Sequence, residues 1–560
     1  MRGSFVVSVR ERVREIALAL WVLAMVSFSW MYTIVQGPNE QTRAYLTAAL
    51  VDDHAITIDR SIARFGSVYD LASFDGHFYS DKAPGSSLLA APVYALARLR
   101  DRVFAPAPEG ALRPPLSPGS PPHFGAEAKS ASEIVNLARN WLMLPFALVG
   151  FCALRSLLRR LGRTRASIDL TSIAYSMGCA VLHYSTAFYG HVLVSTLLVV
   201  SLWCMACAGV FASDSAPPSA RASSPWRYGT LALAGLCAGF AGLTEYQATV
   251  VAVLFLVPVL AQRERRVPAT LAYLAGAVPC ALLLFAYNKA AFGGPLSLSY
   301  QHLVGANLQS LHGNGLAGAT WPTREAILGL LFSAHRGLIT TSPWTVFGLF
   351  GLYVMRRANV RSLRTTLVLC TAYLFLAVAS SSVWHGGWAF GPRLLIPAMP
   401  LLAIAAAYAC DALVDKPLVD AIARAFVIFG VLYQQLVQTT FSELPPELQW
   451  PLRESVAPVV RSTIVTPNLM CKVMPWGQPN LIPLLASLLA LSVFIAWPRT
   501  ASLRNNLTRT AASFVLTGTM FWGLWSIEPN STPQQQLEFA GWIRTFVPAE
   551  TSCATFPPVH

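Results

Sequence analysis

About thirteen stretches of mostly apolar residues recur along this chain, each near the length a helix needs to cross a hydrocarbon core. They run over residues 16–35, 135–154, 167–188, 192–212, 228–244, 247–262, 267–288, 337–355, 365–383, 394–412, 418–438, 481–497 and 508–526. Lipid offers no water to an unpaired backbone, so each run predicts a transmembrane helix. Composition agrees. The 560 residues are 54% hydrophobic and 12% charged, against roughly a quarter charged in a soluble domain. A soluble enzyme, a disordered chain and a collagen-like fibre are excluded. A further apolar run, Ser86 to Ala97, is too short to cross and contains Pro92, which predicts a helix lying at the interface.

Arginines orient the spans, because cytoplasmic loops collect Lys and Arg. Arg10, Arg12 and Arg14 precede the first run and place the N-terminus inside. With 86–97 not spanning, the same parity puts Arg155, Arg159, Arg160, Arg163 and Arg165 inside. It does the same for Arg263, Arg265 and Arg266, then Arg356, Arg357, Arg361 and Arg364, then Arg499, Arg504 and Arg509. The net charge of +14 therefore orients the protein and does not indicate nucleic acid.

The expected organisation is all-α and integral to the membrane. It comprises a cytoplasmic N-terminus (1–15), a first transmembrane helix (16–35) and an external loop with interfacial helices (37–134). A helix bundle (135–527) follows, with external loops near 293–335, 384–392 and 441–480, then an external tail (528–560). Eight of the ten cysteines fall inside predicted spans, where they read as small packing residues. Cys471 and Cys553 are both external, and an oxidising compartment would permit a disulfide between them. No cysteine spacing suits a metal.

The chemistry gathers in the first loop. Ionisable groups held against a membrane are costly and are functional candidates by default. Asn39, Glu40 and Arg43 follow the first run, and Asp52, Asp53 and His54 come next. Tyr79, Asp81 and Lys82 then precede the interfacial run. Asp59, Asp70 and Asp75 read as turn formers, Asp75-Gly76 being a favoured turn pair. A carboxylate can act as general base on a hydroxyl, and a lysine can hold a lipid phosphate as a point charge. Farther on, His191 opens a span, Glu245-Tyr246 form a surface turn, and Arg336 stands at the mouth of a span. In Trp384-His385-Gly386-Gly387-Trp388-Ala389-Phe390-Gly391-Pro392-Arg393, glycines permit close backbone approach, aromatics can stack, and Arg393 sits at headgroup level.

These motifs resemble the GT-C superfamily of polyprenyl-phosphate-sugar-dependent glycosyltransferases. The bacterial branch related to protein O-mannosyltransferases and lipid A aminoarabinose transferases is the most similar. The matching stretches are Asn39-Glu40-x-x-Arg43-x-Tyr45, Tyr79-Ser80-Asp81-Lys82-Ala83-Pro84, Phe188-Tyr189-Gly190-His191 and the Trp384–Arg393 segment. The chain departs where Asn39 replaces one of two adjacent acids and Ala83 replaces a proline. The resemblance implies an inverting transfer of sugar from a polyprenyl-phosphate donor to a hydroxyl on the external face of a bacterial inner membrane. Glu40 is the expected base, with Asp52 and Asp53 as further catalytic acids. Arg43, Tyr79, Asp81, Lys82, His191, Arg336, Trp384, His385 and Arg393 are expected to hold substrate. No cofactor is implied beyond the lipid-phosphate sugar itself, and a divalent metal stays open. The partners are the bilayer, the lipid-linked sugar and an acceptor protein, lipid or glycan.

A lipid-linked glycan ligase or polymerase is the rival enzyme, and a transporter or flippase the rival of another class. Transporters favour midplane ionisable groups and internal repeats. Here the charges collect in one external loop and no repeat is visible.

Overall fold

The structure is a computed structural model. It describes residues 9–28, 37–104, 126–211, 226–262, 265–305, 309, 318, 320–358, 360–441, 443–461, 481–498, 502–529 and 531–546. Cys471 and Cys553 lie outside them, as does the proline-rich stretch 105–125.

Helix is found within every one of the thirteen apolar runs. Among the described residues, six helices are long and apolar enough to cross a membrane: Ala131–Arg160, Gly190–Cys207, Arg266–Phe292, Arg361–Ala379, Arg393–Leu413 and Pro417–Thr440. Ala248–Leu260, Thr345–Val354 and Ile482–Ala496 are shorter apolar helices.

Helix α1 (Val9–Phe28) begins before the first apolar run. Its polar start is held by ion pairs: Arg155 reaches Glu15 at 2.6 Å and Asp169 at 2.9 Å, and Arg14 also pairs with Asp169. Buried charges persist where such partners satisfy them. These arginines thus tie α1 to α6 (Leu144–Arg160) and α7 (Arg165–Met177).

Between α1 and α6 lies the first loop. It contains α2 (Pro38–Ala48), α3 (Asp59–Phe65), strands β1 (Leu71–Phe74) and β2 (His77–Ser80), α4 (Gly85–Phe104) and α5 (Ala126–Ala138). The described chain is mostly helical, as expected, with one short hairpin in this loop. β1 and β2 pair antiparallel around Asp75-Gly76, both at positive φ (50° and 79°), the geometry that a two-residue hairpin demands. The interfacial helix is also longer than expected. It runs 20 residues through Pro92 to Phe104, and Tyr94 and Arg98 on it bond Asp52 at 2.8 and 3.2 Å. Two single π-turns, Ala49–Asp53 after α2 and Arg139–Met143 between α5 and α6, re-aim side chains in the way such insertions do.

The remaining helices are α8 (Val181–Tyr184), α9 (Gly190–Cys207), α10 (Arg227–Thr244), α11 (Ala248–Leu254), α12 (Leu256–Leu260), α13 (Arg266–Phe292), α14 (Arg324–Phe332), α15 (Leu338–Thr341) and α16 (Thr345–Val354). They continue as α17 (Arg361–Ala379), α18 (Met399–Leu413), α19 (Pro417–Thr440), α20 (Ala457–Arg461), α21 (Leu481–Ala496), α22 (Leu503–Ser526) and α23 (Pro533–Phe546). Helices α10 and α13 touch backbone to backbone. A Cβ on Gly235 would stand 1.8 Å from the Tyr273 carbonyl, and one on Gly276 1.8 Å from that of Ala232. Small residues at such crossings are how helices pack where the surroundings are as apolar as the side chains.

Candidate functional site

A cavity of about 750 Å³ opens where α2, the hairpin, the start of α9, the α10–α11 turn and the 380–393 segment converge. It lies at the end of the bundle opposite the arginine-rich turn between α6 and α7. Among the expected site residues, Arg43, Lys82, His191, His385 and Arg393 line it. They come from elements up to 350 positions apart and meet in one space.

Each cation in the wall has a different status. Arg43 is buried and committed: it donates to Ser86 Oγ at 2.7 Å, Glu245 Oε1 at 2.9 Å and Asn39 Oδ1 at 3.1 Å. Lys82 is held between Asp70 at 2.9 Å and Asp81 at 2.5 Å. Two carboxylates share one ammonium, which leaves a surplus negative charge. Burial therefore pushes the Asp81 carboxyl up to about 6, Lys82 working against the shift and Asp70 adding to it. The same two acids raise Lys82 above the usual lysine range against its burial. Arg393 differs from both. It lies over the Tyr189 ring at 5.2 Å, and its buried Nε has no hydrogen-bond partner. A buried guanidinium edge left unsatisfied is costly.

The backbone helps to place Arg393. Gly386 has φ 75°, and a Cβ there would approach Arg393 Nε to 3.0 Å. Arg336, expected to hold substrate, lies outside the cavity lining. Its guanidinium donates to the carbonyls of Ala389, Gly387 (2.6 Å) and Leu444 (3.4 Å) and so pins the segment that carries Arg393. Burial pushes Arg336 down to about 9. Trp384 packs over Gly329 outside the cavity lining. His385 lines the cavity, and its Nδ1 accepts from Gly387 N at 3.1 Å. Burial, then Arg336 and Arg393, lower it below the usual histidine range.

The expected acids behave otherwise than their motif suggests. Glu40 is 1% exposed and outside the cavity lining. Arg139 grips both its oxygens, and Phe188 N donates to it at 2.6 Å. The carboxylate expected to serve as base thus faces Arg139 and Phe188 N rather than the cavity. Asp52 joins Arg64, Tyr94 and Arg98, while Asp53 faces Arg60 at 3.5 Å. Both are away from the cavity and staple α3 and α4 to the end of α2. Tyr79 packs on Phe292 at 5.3 Å, and Asp81 stands behind Lys82.

The acids that do line the cavity are Asp70, Glu245 and Glu443. Asp70 reads as a turn former in sequence and is instead a partner of Lys82. Glu245 reads as a surface turn and is instead the partner of Arg43. Glu443 carried no local signal: it follows α19 by three residues and reaches the wall only through the fold. Among the described residues, no three His, Cys, Asp or Glu side chains converge as a metal site.

No protein-family model matches this chain, and no curated protein matches it. Among solved structures it is similar to ArnT from Cupriavidus metallidurans bound to undecaprenyl phosphate, with 14% identity and a TM-score of 0.44, over 96% of this chain and 77% of that one. It is also similar to the archaeal oligosaccharyltransferase AglB from Archaeoglobus fulgidus in complex with an inhibitory peptide and a dolichol-phosphate. That match has 12% identity and a TM-score of 0.45, over 80% of this chain and 58% of that one.

Proposed function

We propose that this protein is a membrane glycosyltransferase. It moves a sugar from a polyprenyl phosphate to an acceptor hydroxyl, on the face of the membrane opposite the arginine clusters. The observation that carries this reading is Arg393: a buried guanidinium with an unpartnered Nε, laid over Tyr189 in the wall of a cavity large enough for a sugar phosphate. Preorganised donors aimed where charge develops are the largest single contribution in many group transfers. Charge would develop on the phosphate oxygen as its bond to the anomeric carbon breaks. Lys82, already balanced by two acids, contributes N–H donors to the wall more than net charge.

The acceptor oxygen attacks the anomeric carbon as the phosphate leaves, so a single displacement inverts that centre. His191, Tyr189 and Trp388 offer ring faces and polar edges to a sugar. The N-terminus then lies in the cytoplasm of a bacterial cell, with the cavity on the external side of its inner membrane. Aside from the donor and acceptor, the bilayer is the partner.

The test is direct. Lipids extracted from the purified protein are identified by mass spectrometry, and the protein is incubated with undecaprenyl-phosphate-linked hexoses and pentoses in membrane vesicles. A bound polyprenyl phosphate and release of free undecaprenyl phosphate with sugar transfer are expected. Failure of both, with the protein folded, overturns the reading.

A further inference from the structure

Glu443 and His183 are 260 positions apart in sequence and meet at the cavity wall, His183 Nε2 standing 3.3 Å from Glu443 Oε1. Glu443 lines the cavity, while His183, on α8, is buried behind it. On its other side His183 Nδ1 lies 2.6 Å from Gln438 Oε1.

The network around this pair fixes its protons. Thr186 Oγ1 donates to the His183 carbonyl at 2.9 Å, which leaves its lone pairs for Gln438 Nε2 at 3.4 Å. The Gln438 amide therefore turns its oxygen to His183, and Nδ1 must carry a hydrogen. A neutral imidazole with Nδ1–H presents a bare lone pair at Nε2. That lone pair faces a carboxylate oxygen, so the contact becomes a hydrogen bond only when one more proton sits between them. The pair is a built proton acceptor open to the cavity on its Glu443 side.

The other two wall acids are poorly suited to that task. Glu245 is held by Arg43, and Asp70 shares Lys82 with Asp81, so their oxygens are already engaged by charged donors. Among the described residues, Glu443 faces His183, which is a cation only when protonated. The charged and titratable groups whose fields it shares are Arg393, Arg336, Tyr184 and Tyr189. It therefore stands beside the anion site without being consumed by it.

We propose that Glu443 is the catalytic base of the transfer, and that His183 is the positioning residue that shares the abstracted proton through Nε2. The inference rests on the glycosyl-transfer reading above. In the step, the acceptor O–H bond breaks and its proton goes to the Glu443–His183 pair. The oxygen lone pair forms the bond to the anomeric carbon. The carbon–oxygen bond to phosphate breaks, and its electron pair leaves on the lipid phosphate. The proton then returns to water or to that phosphate.

The experiment combines turnover, undecaprenyl phosphate binding and the 15N spectrum of histidine-labelled protein, for wild type, Glu443→Gln and His183→Gln. Glu443→Gln is expected to lower kcat by about 100-fold or more, the usual worth of a general base, with undecaprenyl phosphate binding unchanged within twofold. His183→Gln is expected to lower kcat with KM unchanged, and Glu443→Asp to recover part of the loss of the Gln variant. The wild-type spectrum is expected to hold one imidazole whose Nε2 gains a hydrogen-bonded proton on titration. That signal disappears in His183→Gln and loses the shift in Glu443→Gln. Turnover of Glu443→Gln above a tenth of wild type, or a spectrum indifferent to that change, overturns the inference. If wild type itself transfers no sugar, the glycosyl-transfer reading fails, and the spectrum still decides whether the pair shares a proton.

Discussion

Arg139 holds Glu40 from 99 positions away, with Nε donating at 2.8 Å to one carboxylate oxygen and a second N–H reaching the other. The pair joins α2 to the π-turn that opens α6. A backbone N–H from Phe188 completes it on the third side. The most conspicuous acid of the first motif is thus buried behind the cavity wall and held on three sides.

Removing one partner of such a pair strands a buried charge, which costs about 3–5 kcal/mol. Arg139→Ala is therefore expected to lower the thermal midpoint in detergent by several degrees and to reduce the amount of folded protein in the membrane. Glu40→Gln keeps the acceptor to Phe188 and is expected to be milder, with transfer per folded molecule staying within severalfold of wild type. Loss of turnover in a fully stable Glu40→Gln variant would return Glu40 to the chemistry.

The apolar runs were legible because span length is a local property, written in about 20 consecutive residues. Helix ends and side-chain partners were not. The helix from Gly85 continues to Phe104 because Arg98 and Tyr94 find Asp52, a contact that no local pattern announces. Asp75-Gly76 was legible as a turn, yet the strands on either side were short enough to pass for loop. At the site, Arg43, Lys82, His191, His385 and Arg393 stood out as charges beside glycine and aromatic residues near span ends. Glu245 and Glu443 did not, since their meaning comes from Arg43 and His183 more than 200 positions away.

Arg393 should control lipid-phosphate affinity. A hydrogen bond to a charged group contributes about 1.5–3 kcal/mol, so Arg393→Ala is expected to weaken undecaprenyl phosphate binding roughly 10- to 100-fold. Arg393→Lys keeps the charge and loses the planar fork, and falls between. Gly386→Ala acts on the same residue from behind, straining a φ of 75° and crowding Arg393 Nε. It should weaken binding with little change in the thermal midpoint. Equal binding across these variants, measured by titration calorimetry, would detach Arg393 from the phosphate.

The orientation has its own consequence. If the arginines between α6 and α7 face the cytoplasm, the cavity and α23 face outward. An alkaline phosphatase fused after Phe546, which becomes active only after export, should then be active, and one fused after Arg163 inactive. The reverse pattern would invert the topology and place the cavity inside the cell.

Asp81 links the site to pH. Its carboxyl rises from the usual range to about 6, chiefly through burial, so the folded protein holds a proton there that the unfolded chain has already released. A raised carboxylate contributes stability that is complete below its unfolded pKa and is lost as pH rises through the folded one. Between about pH 4 and 6, wild type is therefore expected to lose stability with rising pH relative to Asp81→Asn, which carries no such proton. The difference between the two thermal midpoints, followed across that window, isolates Asp81 from every other carboxylate. Parallel curves for the two proteins would mean that Asp81 ionises normally and that Lys82 balances both of its acids.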